Sequence, residues 1–108
     1  MNENDLLAAI FDLQRHDLEI WCARGWVRPA ASGGATEYRA VDVARVQLIC
    51  EMRRDLAVND DGIAVALDLM DQLYEARVRL RALGQAIMRQ PDDVRTQIET
   101  SVRKTLGG

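Results

Sequence analysis

The chain has 108 residues, of which 48% are hydrophobic, 29% charged and 5% aromatic, and it carries a net charge of −3 at neutral pH. That composition fits one domain with one modest core, and no apolar run approaches the ~20 residues of a membrane-spanning helix. The overall basic footprint of a nucleic-acid module is missing.

Residues 5–11 read as a short apolar helix with Asn4 or Asp5 as its N-cap. Asp12-Leu13 makes the turn into a second helix, from about Gln14 to Arg24, which turns Leu18, Ile20, Trp21 and Cys22 inward. Gly25 stops it as a left-handed residue. Two short helices around a tight turn make a helix-turn-helix unit. Residues 26–38 are the glycine-rich irregular stretch. There Trp26-Val27 is expected to pair with Thr36-Glu37-Tyr38 around Gly33-Gly34, as a small β-hairpin wing. The stretch lacks the Lys and the spacing of a phosphate-binding loop.

A third helix is expected from about Ala40 to Leu56. Val43, Val46, Ile49, Cys50 and Met52 face the core, while Arg45, Glu51, Arg53, Arg54 and Asp55 stay wet. Cys22 and Cys50 both fall on apolar faces and are expected to be reduced. With His16 as the single histidine, they cannot complete a four-ligand zinc site, so no metal or other cofactor is expected. Nor does His16 have a nucleophile or base pattern around it, so no enzymatic activity is expected. The acidic, polar first five residues are unlike a signal peptide, which leaves a cytoplasmic protein.

Residues 57–59 are a connector, and Asn59 caps a long fourth helix reaching about Gln90. Pro91 opens a fifth helix, in which Val94, Ile98, Val102 and Leu106 form one stripe, and Gly107-Gly108 is a frayed end. The long helix has three faces. Ala66, Leu69, Leu73, Ala76, Leu80, Leu83 and Ile87 alternate three and four apart, the spacing of a coiled-coil seam. Ile63, Leu67, Met70 and Tyr74 form a second stripe, expected to dock on the first three helices. Asp61, Ala64, Asp68, Asp71 and Glu75 form a third, nearly opposite the seam at ~100° per residue. A seam of this length calls for a second copy of the chain, with Leu69, Leu73, Leu80, Leu83 and Ile87 at a homodimer interface. Cover by the fifth helix is the alternative. The acidic row reads as unpaired, and a one-signed patch steers a basic partner.

The order helix–turn–helix–wing–helix–helix resembles the MerR-type winged helix-turn-helix. The matching residues are Leu18, Trp21, the run Gly25-Trp26-Val27-Arg28-Pro29, Tyr38 leading to Val43-Ala44-Arg45, and Leu56, Ile63 and Leu67. Residues 56–73 (LAVNDDGIAVALDLMDQL) resemble the signature of the chaperone modulator CbpM family. The match is strongest over Gly62-Ile63-Ala64-Val65-Ala66-Leu67 and the following Leu69-Met70-Asp71. The resemblance covers roughly residues 5–90. It implies an all-α, MerR-like winged helix-turn-helix with a small β-hairpin wing, followed by a long helix; the short C-terminal helix is read from its own spacing, and the resemblance carries nothing over to it. Residues 1–58 would be the winged region, 59–90 the partner-binding and dimerisation helix, and 91–108 an extension, in one compact domain.

It also implies a partner: the J-domain of a DnaJ-like co-chaperone of the CbpA type. The modulator would inhibit that protein's work with the Hsp70 chaperone, with its DNA binding as a second target. The basic second helix of a J-domain engages Hsp70, and Asp61, Asp68, Asp71 and Glu75 are assigned to compete for it on charge alone. Two positions depart from the pattern: Arg39 stands at the N-cap of the third helix, and Asp12 in a turn where Gly is common. The competing function is a MerR-type DNA-binding transcription regulator. Against it, the second helix mixes Arg15, His16 and Arg24 with Asp17 and Glu19, and the wing between Pro29 and Tyr38 has no cation and carries Glu37.

Overall fold

A short first helix needs a strong start, and Asn2 supplies it. In the computed structural model, which describes residues 1–107, Asn2 Oδ1 accepts from the Asp5 amide at 2.8 Å, and Asp5 Oδ2 accepts from the Asn2 amide at 3.3 Å. This reciprocal capping box starts α1 (Glu3–Ala9) two residues before the expected Asp5. The chain reverses at Asp12, whose φ of 63° is left-handed, and enters α2 (Arg15–Ala23). At its end the Gly25 amide donates to Cys22 O and the Trp26 amide to Trp21 O, with Gly25 at φ 75°. That is a Schellman closure, as expected of this glycine.

The wing is smaller than expected and differently paired. Strand β1 (Ala30–Ser32) runs antiparallel to β2 (Ala35–Glu37), with Ala30 opposite Glu37 and Ser32 opposite Ala35. Gly33 and Gly34 take φ 56° and 82°, the two left-handed residues of a type I′ hairpin turn. The turn stands where it was expected, but Trp26-Val27 is not its first strand. Both side chains are buried in the core instead, because large apolar groups gain more there than on an exposed two-stranded ribbon.

Helix α3 (Ala40–Arg54) places Val46, Ile49 and Met52 in the core. It stops two residues short of the expected Leu56. The Leu56 amide turns back to Glu51 O and the Val58 amide to Met52 O, and Ala57 adopts φ 51°. Asn59 then caps α4 (Asp60–Met88), its Oδ1 accepting from the Gly62 amide at 2.8 Å. Helix α5 (Asp92–Thr105) follows Pro91. Gly108 lies outside the described residues.

The chain divides into two units, Met1–Asp68 and Leu69–Gly108. The first contains the core. Leu6, Leu18, Val27, Val46, Ile49, Ile63 and Leu67 are all but fully buried there, around Trp21, Trp26 and Tyr38. Each large aliphatic side chain so buried contributes about 1.5–3 kcal/mol. In the second unit no described residue is buried.

Candidate interaction surfaces

The helix-turn-helix surface was the place to look for nucleic-acid contacts, and its cations are bound to their own chain. Arg15 donates to Asn4 Oδ1 at 2.8 Å. Arg24 pairs with Asp60 at 3.1 Å and lies over the Trp26 ring at 5.1 Å. Arg28 Nε donates to Gly25 O at 3.2 Å. The wing adds exposed Glu37 and no cation. His16 is exposed.

Behind the wing lies a clasp that sequence reasoning missed. Asp42, in the first turn of α3, is only 3% exposed. Its Oδ2 accepts from the Arg39 amide at 2.9 Å and from Arg39 Nε at 3.0 Å, while Arg39 Nη2 donates to Arg28 O at 3.0 Å. The carboxylate thereby supplies one half of a capping box, by accepting the N-cap amide; the other half is missing, since the guanidinium at the N-cap position accepts nothing. Asp42 in turn raises the Arg39 pKa by hydrogen bonding and charge. Arg45, expected to be wet, is half-buried and donates to Trp26 O. Arg39 at the N-cap of α3 and Arg45 within the helix therefore hold the chain segment between α2 and β1. The i,i+3 spacing of Arg39 and Asp42 was a readable sign of the first contact; nothing local announces the second.

On α4 the three faces fare differently. Ile63 and Leu67 dock as expected, but Met70 and Tyr74 are exposed, so the second stripe is covered only in its first half. Of the seam, Ala66 packs against the core, whereas Leu69, Leu73, Leu80 and Leu83 are each more than half exposed. Ile87 is half-buried, where it lines an apolar groove of about 410 Å³ with Ile98, Val102 and Leu106. Cover by the fifth helix thus reaches the end of the seam, not its length.

Asp61, Asp68, Asp71 and Glu75 are all exposed. The expectation that the whole row is unpaired does not hold, because Asp68 and Asp71 each take part in a hydrogen-bonded or electrostatic contact. From Leu56 to Ala76 the sequence has five carboxylates and no Lys or Arg, and one of the five, Asp60, is paired with Arg24.

Gly62, in the strongest part of the signature, has a structural task. A Cβ there would stand 2.7 Å from Val58 Cγ1 and 3.2 Å from Asn59 Oδ1. The glycine thus lets the connector close against the first turn of α4.

Both cysteines are free and half-buried. Burial pushes the Cys50 thiol up, opposed by Arg54 and Arg53. Cys22 Sγ lies 3.7 Å from Tyr38 Oη, and burial together with that contact raises the Tyr38 phenol above its ordinary range. Among the described residues no cluster of His, Cys, Asp or Glu could hold a metal ion. No helix among them is long and apolar enough to cross a membrane.

A helix-turn-helix closed by a two-stranded wing and continued into a long helix defines a winged helix-turn-helix protein. The chain belongs to the MerR HTH family of regulatory proteins, whose description, MerR HTH family regulatory protein, matches it over residues 8–85. That membership points to a regulatory rather than a catalytic protein. No curated protein and no solved structure matches the chain.

Proposed function

We propose that the protein is a chaperone modulator of the CbpM type. In this reading it binds the J-domain of a DnaJ-like, CbpA-type co-chaperone in the cytoplasm and restrains its work with Hsp70. One observation carries the reading: α4 exposes Asp61, Asp68, Asp71 and Glu75 along a stretch that has no Lys or Arg up to Ala76, while the arginines of the helix-turn-helix are engaged within their own chain. A basic helix of a partner is attracted to the first surface, and a phosphate backbone gains little from the second. The signature at residues 62–71 supports the same reading.

Asp61, Asp68, Asp71 and Glu75 are the proposed docking strip, and the bare seam Leu69, Leu73, Leu80, Leu83 and Ile87 is the proposed homodimer face. Titration of the J-domain into the protein is expected to give micromolar or tighter binding; no heat at micromolar concentrations would end the proposal. Charge reversal at Asp68 and Asp71 should weaken the complex and flatten its salt dependence. Leu73→Asp with Leu80→Asp should give monomers in sedimentation.

The family match itself favours a second reading, a MerR-type DNA-binding transcription regulator. Tight, salt-resistant binding to a DNA duplex would put that reading first.

A further inference from the structure

Helix α5 carries an apolar face that its own chain leaves largely in water. Val94, Ile98, Val102 and Leu106 recur four apart, so they share one side of the helix. Val94 and Ile98 are half-buried, but Val102 and Leu106 are 49% and 81% exposed. Ile98, Val102 and Leu106 border the groove at Ile87, and there the cover of the α4 seam ends. Leu69, Leu73, Leu80 and Leu83 stay exposed. The second unit thus displays two apolar stripes, and neither hides the other. Helix α5 also lies outside residues 8–85, which match the family, so membership assigns it no role.

The two stripes fit each other in length. At ~1.5 Å per residue, Val94 and Leu106 stand ~18 Å apart along their helix, and Leu69 and Leu83 ~21 Å apart along theirs. With α5 laid antiparallel on α4 and Val94 level with Leu83, Ile98 comes beside Leu80 and Val102 beside Ala76. Leu106 then falls between Leu69 and Leu73.

Charge selects this direction. Residues 77–89 hold four exposed arginines and no carboxylate. In the antiparallel alignment exposed Glu99, at the edge of the α5 stripe, stands level with Val78, between Arg77 and Arg79, and Arg103 stands beside Glu75. The parallel alignment sets Glu99 beside Glu75 and Arg103 beside Arg77 and Arg79, like against like. Asp92 and Arg95 are paired with each other at 2.6 Å and favour neither direction.

We infer that α5 of a second copy of the chain lies antiparallel on the α4 seam, and that the exchange is reciprocal. The chain's own α5 meets the seam at Ile87, in the last turn of α4, and so leaves the leucines to a partner. A reciprocal exchange buries both stripes at once and closes at two copies. The inference rests on the homodimer face proposed above and names the element that fills it.

The test is sedimentation equilibrium of the full chain. The wild type is expected as a dimer, and Val102→Asp with Leu106→Asp as a monomer. Fluorescence of the buried Trp21 and Trp26 should be unchanged in that variant, since both replaced side chains are exposed and lie outside the first unit. Gln97→Asp, which adds the same charge off the stripe, should remain a dimer. Ala76→Cys with Val102→Cys should form, on oxidation, a covalent dimer on a non-reducing gel that the wild type does not give. A bond within one chain would overturn the exchange. A dimer that survives Val102→Asp with Leu106→Asp would overturn the part given to α5 and leave the homodimer face standing. A monomeric wild type would remove both.

Discussion

Residues before and after Asp68 both carry Leu, Ile and Val at helical spacing, yet only the earlier ones bury them. Helix α4 shows the contrast within one element: Ile63 is fully buried, and Leu80, on the same helix, is 67% exposed. Periodicity states which residues share a face. It does not state whether anything lies against that face. The first unit has three helices and the hairpin base to close over Ile63 and Leu67, whereas Leu69 to Leu83 stay bare in a single chain.

The sharpest way to break this contrast is to truncate both faces. Ile63→Ala should cost about 2–5 kcal/mol in urea unfolding, the range for a buried aliphatic cut to Ala. Leu80→Ala, measured on dilute monomer, should stay within about 0.5 kcal/mol. A comparable loss at Leu80 would mean that the seam is already covered.

The two glycines of α4 make the next comparison. Gly62→Ala forces a Cβ against Val58 and the capping Asn59, and overpacking of this kind costs about 1–3 kcal/mol. Gly84 has open space around it, so Gly84→Ala should stabilise the helix by about 0.5–1 kcal/mol. Opposite shifts in Tm from one substitution on one helix would separate packed from unpacked surface directly.

Ala57→Gly relieves a left-handed alanine and should stabilise the first unit by about 1 kcal/mol. No gain would mean that the turn is not strained.

The smallest expected effect is with pH. Burial holds the Cys50 thiol and the Tyr38 phenol protonated beyond their ordinary values. The folded state therefore keeps protons that the unfolded chain releases, and stability present at neutral pH declines as pH rises past about 8.5 and again past about 10. Urea midpoints between pH 7 and 11 should fall in that order, and Tyr38→Phe should flatten the upper limb.

Much of the fold was written locally. Gly25 ends its helix and Asn59 begins its own through bonds within a few residues, so their roles were readable from residue type alone. The Gly33-Gly34 turn was readable for the same reason. The helix order and the core positions of α3 follow from a 3.6-residue repeat that needs no knowledge of neighbours.

What tertiary structure decided was long-range. Trp26-Val27 left the wing because a core was available to receive them. Asp42 could be buried because Arg39 and its own helix start supplied donors. Arg45 turned in toward a carbonyl nineteen positions away in sequence. The carboxylates of α4 were legible as a row, but not their pairing. Spacing along a chain determines which side chains share a face; only the folded arrangement determines which faces lose their water, because that free energy belongs to surfaces in contact, not to residues in sequence.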